Sequence, residues 1–139
     1  MNMMNQSTPE SANNSFYQAF EELSIENMDK IWSHSEASSC IHPGRELVVG
    51  WIAIRGSWIK IFEDTDNIKL RVNTLRSRKH GTMAIIICLE DIHASVNGKG
   101  VIFSVVATNI FEEAEDKWFL THHHGSALSY YFGPKSEIF

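Results

Sequence analysis

Asn97-Gly98 separates two runs rich in β-branched residues, "MAIIICLEDIHASV" (83–96) and "KGVIFSVVATNIFEE" (99–113). A two-residue Asn-Gly loop selects a type I′ turn, because both of its residues must take a positive φ. The loop therefore sets a hairpin and its register. Glu90 falls opposite Val105 and Ile86 opposite Asn109. One face then carries Val101, Phe103, Val105, Ala107, Asn109 and Phe111. The other carries Ile85, Ile87, Leu89, Ile102, Val106 and Ile110. Both faces are apolar, whereas a one-sided sheet alternates apolar with polar residues. The outer face is expected to be covered, and an isologous homodimer through it is the expected cover.

The neighbouring segments extend the meander. "IKLRVNTLR" (68–76) alternates, with Ile68, Leu70 and Val72 on one side and charged or polar residues on the other. "EEAEDK" (112–117) is a charged turn, and "WFLTHHHGSALSYYF" (118–132) reads as a last long strand. Ahead of these strands the period changes. Phe16, Tyr17, Phe20 and Leu23 recur at helical spacing, with Asn13 or Asn14 as cap. Ser24 caps a second helix bearing Ile25, Met28, Ile31 and Trp32. "SSCIHPG" (38–44) is a short extended piece ended by Pro43-Gly44. Trp51, Ile54, Trp58 and Ile61 line one stripe of a third helix over 50–64. Helices followed by a meander predict an α+β domain, with helices packed in a strongly curved antiparallel sheet. Its expected bounds are 14–132, with a disordered leader over 1–13 and a tail over 133–139.

Composition narrows the partners. The 139 residues are 43% hydrophobic and 21% charged, enough apolar material for a core. A net charge of −5 offers no footprint for nucleic acid. The basic stretch "RVNTLRSRKHG" (71–81) reads as the solvated face of a strand. Cys40 and Cys88 form no CxxC, so free thiols in a reducing compartment are expected. No apolar run reaches the ~20 residues of a membrane span, and the start lacks the pattern of a signal peptide. The expected location is cytoplasmic.

"CIHPGRELVVGWIAIRGSWIKIF" (40–62), "VVATNIFE" (105–112) and "WFLTHHHGS" (118–126), in this order, resemble the SnoaL-like family of the nuclear transport factor 2-like superfamily. The resemblance covers roughly residues 14–130. It implies a cone-shaped, cystatin-like α+β barrel with a pocket at its wide end. Relatives include isomerases and dehydratases of steroid-like and polyketide substrates. They also include the association domain of a calcium/calmodulin-dependent kinase, an assembly module. The inward Asp–Tyr arrangement of the steroid isomerases has no match here.

The candidate site centres on His122, His123 and His124. Strand side chains alternate, so three consecutive histidines cannot share a face. Trp118 and Leu120 point the even positions inward, which puts His122 and His124 in the pocket and His123 outside. The pair could share a metal with His42, but no carboxylate or thiolate lies nearby in sequence. A hydrogen-bonded pair of neutral histidines is the expectation, with no metal and no cofactor. His42 either borders the pocket mouth or caps its turn. Asn109 holds a ligand or, preferably, fixes the tautomer of an imidazole. Glu90 would be a base if buried, with exposure at the sheet margin the expected state. Trp51 and Trp58 are core residues, one of them also pocket wall. The expected ligand is a small apolar or aromatic molecule. The expected chemistry is cofactor-free isomerisation, dehydration or cyclisation, with His122 or His124 as base and Asn109 or Tyr17 as polarising group. The alternative is a non-catalytic association or ligand-binding module.

Overall fold

The computed structural model describes residues 4–128. Asn97 and Gly98 take φ values of 50° and 80°, as a type I′ loop requires. They join β4 (Met83–Val96) to β5 (Lys99–Ala114) in the expected register, Glu90 opposite Val105 and Ile86 opposite Asn109. β3 (Thr65–His80) pairs with β4, and β6 (Lys117–Ala127) with β5, all antiparallel. Two short strands, β1 (Ser39–Ile41) and β2 (Leu47–Val49), extend the sheet beyond β6. The strand order is β2-β1-β6-β5-β4-β3, with β1 parallel to β6.

The first helix starts earlier than its apolar spacing suggests. α1 runs Pro9–Glu21, capped by Thr8, whose side chain accepts from Ser11 N while the Ser11 hydroxyl returns to the Thr8 backbone. Proline at the first helical position completes the start signal, because its missing N–H is not needed there. Gln6, ahead of the cap, is 7% exposed and donates to the Lys30 and Trp118 carbonyls at 3.0 and 3.1 Å. The expected leader over 1–13 is therefore part of the fold from Gln6 onward. Residues 1–3, the expected tail over 133–139 and the expected end of the last strand lie outside the described residues. α2 (Ile25–Ile31) begins at Ser24 as expected, and α3 runs Trp51–Asp64.

The helices nest in the curved sheet. Phe16, Met28, Ile31, Trp32, Trp58, Phe111, Trp118 and Leu120 are fully buried between them. Phe16 packs edge-on to Trp32 and Trp58, with centroids 6.4 and 5.7 Å away. On the opposite face of the sheet Ile85, Ile87, Leu89, Val106 and Ile110 are half-buried, and Ile102 is 75% exposed. No helix among the described residues is long and apolar enough to cross a membrane.

Candidate functional site

The last strand reverses its parity midway. Trp118 and Leu120 point inward as expected. Phe111 then pairs with Leu120 while Ile110 pairs with His122, so Thr121 is an extra residue, a β-bulge. Its hydroxyl donates to the Ile110 carbonyl, which takes up one of the acceptors at the irregularity. Beyond the bulge the inward residues are His123 and Gly125. The expected inward pair, His122 and His124, lies outside the pocket. His122 Nδ1 sits 2.7 Å from Ser39 Oγ on the neighbouring strand, and the two outward rings stand 6.2 Å apart, nearly perpendicular. Burial and the charge of His124 lower the pKa of His122. No cluster of three metal-ligating side chains occurs among the described residues.

His123, 2% exposed, joins a buried polar chain. Its Nδ1 lies 2.6 Å from Asn109 Oδ1. The Asn109 amide nitrogen donates to Asn13 Oδ1 at 2.9 Å and to Tyr17 Oη at 3.0 Å. Tyr17 in turn donates to Glu90 Oε2 at 2.5 Å, and Asn13 donates to Cys88 Sγ at 3.3 Å. The chain assigns its own protons. Both amide hydrogens of Asn109 are committed, so Oδ1 must accept, and Nδ1 of His123 carries the proton. His123 Nε2 is left with a bare lone pair. The imidazole that meets Asn109 is therefore that of His123, not of His122 or His124.

Glu90 is 2% exposed, against the expectation of exposure at the sheet margin. Burial pushes its pKa from 4.5 up to about 7, although the hydrogen bond from Tyr17 favours the carboxylate. Tyr17 is held well above its ordinary value by burial and by the adjacent carboxyl. Burial drives His123 down to about 3, helped by the neighbouring histidines. His42 falls to about 4, through burial and then the charge of Arg45.

His42 closes its turn through the backbone and turns its ring to the cavity. Its carbonyl accepts from Arg45 N across a turn with Pro43 second and Gly44 third at φ 74°, a type II arrangement. Its ring faces inward, 4.7 Å from the Trp58 ring and edge-on. Ser57 spends its hydroxyl proton on the Ile54 carbonyl at 2.6 Å, so His42 Nε2, 2.8 Å from Ser57 Oγ, must be the donor. His42 Nδ1 is then the acceptor nitrogen, met by the Cys40 thiol at 4.0 Å.

Glu90, His123, His42 and Trp58 line one cavity of about 360 Å³, walled further by Phe20 and Phe103. Exposed Arg45 and half-buried Asp64 lie on its rim. Two larger surface depressions, about 760 and 660 Å³, lie elsewhere. Neither includes a member of the buried polar chain, so volume does not locate the chemistry. Tyr17 and Asn109 stand behind the cavity wall and act through Glu90 and His123. Trp58 serves as both core and wall. Trp51 stacks on His34 at 4.9 Å and on Trp32 at 6.0 Å, away from the cavity. Asn13, read as a helix cap, is instead on the inward stripe with Phe16, Tyr17 and Phe20. Its spacing to them was the available signal.

Helices held in a curved six-stranded sheet define the cystatin-like, nuclear transport factor 2-like class of α+β fold. Within that class the chain belongs to the SnoaL-like domain family, whose model matches residues 10–130. The F-box protein SKIP8 of Arabidopsis thaliana is 29% identical over 118 residues, 85% of this chain and 48% of the relative. The chain thus spans about half the length of that curated relative. A Thiobacillus denitrificans structure assigned as a calcium/calmodulin-dependent protein kinase type II association domain is 28% identical, with a TM-score of 0.79 over 88% of this chain and 96% of that one. A Streptomyces avermitilis structure assigned as a dehydratase of the NTF2-like family is also 28% identical, with a TM-score of 0.79 over 88% of this chain and all of that one.

Proposed function

We propose that this chain is a small-molecule pocket protein that takes an apolar or aromatic ligand into the cavity between α3 and the inner face of β4 and β5. The observation that carries this reading is convergence. Glu90, His123 and His42 meet one cavity whose other walls are mainly apolar and aromatic. A few fixed polar groups in an apolar cavity of this size are the usual anatomy of a ligand site. Polar contacts behind the wall hold the protonation state of two of the three. A carboxyl group titrating near neutrality also suits cofactor-free proton transfer of the isomerase or dehydratase type. In that role Glu90 replaces His122 and His124 as the candidate base. The similarity to the structure assigned as a dehydratase supports the same direction.

The apolar outer face supports self-association as a property of the same domain. Ile102 is its most exposed member, and the similarity to an association domain points the same way.

Native mass spectrometry of the protein purified from its own host tests the ligand reading. Ala94 lines the cavity, and Ala94→Trp fills it. The expected result is a bound small molecule on the wild type and none on the folded variant. A wild type that carries no ligand, and whose Trp58 fluorescence is unchanged by added naphthalene, refutes it.

A further inference from the structure

The cavity lining is rich in acceptors; its buried unpartnered donors among the described residues are Trp58 Nε1 and the Glu90 carboxyl when it holds a proton. His123 Nε2 is bare because Nδ1 is committed to Asn109. His42 Nδ1 is left as an acceptor because Nε2 is committed to Ser57, and only the weak donor of the Cys40 thiol, 4.0 Å away, meets it. Glu90 Oε2 accepts from Tyr17, and Oε1 has no hydrogen-bond partner among the described residues. Glu90 has no cationic partner either: the ion pairs among the described residues are Arg55–Asp29 and Lys60–Asp64. Arg45 is exposed and forms no ion pair with the carboxyl among the described residues.

A buried carboxylate is costly without a compensating cation. Here the fold supplies only one phenolic hydrogen bond, and both nearby imidazoles are held neutral. The rest of the wall is aromatic: Trp58, Phe20 and Phe103. Aromatic faces attract cations through their quadrupole, most strongly where water is excluded. An acid without a counter-ion, bare lone pairs and aromatic walls ask for the same ligand.

We propose that the ligand of this cavity is an amine cation on an apolar or aromatic body, with its N–H donors directed at Glu90 and at the bare nitrogen of His123. This rests on the ligand-pocket reading above and narrows it to a chemical class. A carboxylate ligand would set a second acid against Glu90, and a carbonyl would meet the bare nitrogen of His123 and would depend on the proton of Glu90, whereas an amine cation donates to both. Exposed Arg45 on the rim opposes a cation, but solvent screens its charge, and Asp64 lies on the same rim.

Three probes of one shape separate the possibilities on the full chain: 2-(aminomethyl)naphthalene as cation, 2-methylnaphthalene as neutral body and 2-naphthoate as anion. Binding is followed by calorimetry and by the imidazole resonances of His123. The cation is expected to bind at least tenfold more tightly than the neutral probe, and the anion more weakly than either. Glu90→Gln keeps an acceptor for Tyr17, and thermal melting verifies its fold. It is expected to abolish the preference for the cation and to retain the neutral probe. Equal or tighter binding of the neutral or anionic probe overturns the amine assignment and leaves the pocket reading intact. A cation preference that survives in Glu90→Gln overturns it as well. Failure of all three probes to bind the wild type, or to shift His123, overturns both.

Discussion

Replacing Glu90 with Gln should change how stability depends on pH, by an amount the structure sets. Burial raises the folded-state pKa of Glu90 from 4.5 to about 7. Below pH 4.5 both folded and unfolded chains hold the proton, and the stabilising difference is complete. As pH rises toward 7 the unfolded chain loses its proton while the folded one keeps it, so stability falls. Above 7 both are ionised and no further change occurs. At ~1.4 kcal/mol for each tenfold in proton affinity, the full span is worth about 3 kcal/mol, most of which falls between pH 5 and pH 8. The histidines act in the opposite sense. His42 at about 4 and His123 at about 3 lie below their ordinary 6.5, so they withdraw stability as pH falls below that value. Both are present in both chains and cancel in the difference. Urea denaturation of wild type and Glu90→Gln in parallel, from pH 5 to 8, isolates the carboxyl. The wild type should lose roughly 2–3 kcal/mol relative to the variant as pH rises. Two curves that stay parallel within about 0.5 kcal/mol would refute the burial argument and the candidate site built on it.

Removing His123 strips Asn109 Oδ1 of its donor, so His123→Ala should cost about 1–3 kcal/mol from that lost partner, with a further loss of packing. His122→Gln and His124→Gln should stay within about 0.5 kcal/mol in thermal melts, and NMR should show His123 neutral down to pH 4. Deleting residues 1–12 removes the Thr8 cap, worth about 1 kcal/mol, and both Gln6 hydrogen bonds, so the melting temperature should fall by roughly 10 °C. An unchanged melting temperature would restore the disordered leader. Light scattering at micromolar concentration should find a wild-type dimer and an Ile102→Glu monomer; a monomeric wild type sinks the outer-face interface.

The legible part of this fold was local chemistry that acts at fixed distance. Asn97-Gly98 determines a hairpin because only residues tolerant of positive φ close a two-residue loop, and counting outward from it placed Glu90 and Asn109 correctly. Ser24 capped α2 where expected, by accepting from Asn27 N. The opposite failure came from extrapolation. Trp118 and Leu120 carry a true alternation, but extending it past Thr121 assumes an unbroken ladder, and the bulge contains no glycine to announce itself. Thr8-Pro9 was a visible start signal hidden in a polar stretch, where composition outweighed position. The count put Glu90 on the inward face, but whether it was buried or exposed at the sheet margin could not be read from the strand. Its burial depends on Tyr17, 73 residues away, being carried over it by a helix packed across the sheet.

The bulge at Thr121 gives the histidine run a property of its own. With the extra residue present, Asn109 stands opposite His123. Were β6 to lose the bulge and slip by one residue, the same counting would bring His122 to that position. The amide oxygen would meet an imidazole in either phase. A strand that repeats one side chain across a point of possible slippage is a redundant code. A one-residue slip that would exchange the chemistry of most strands would here exchange one histidine for another.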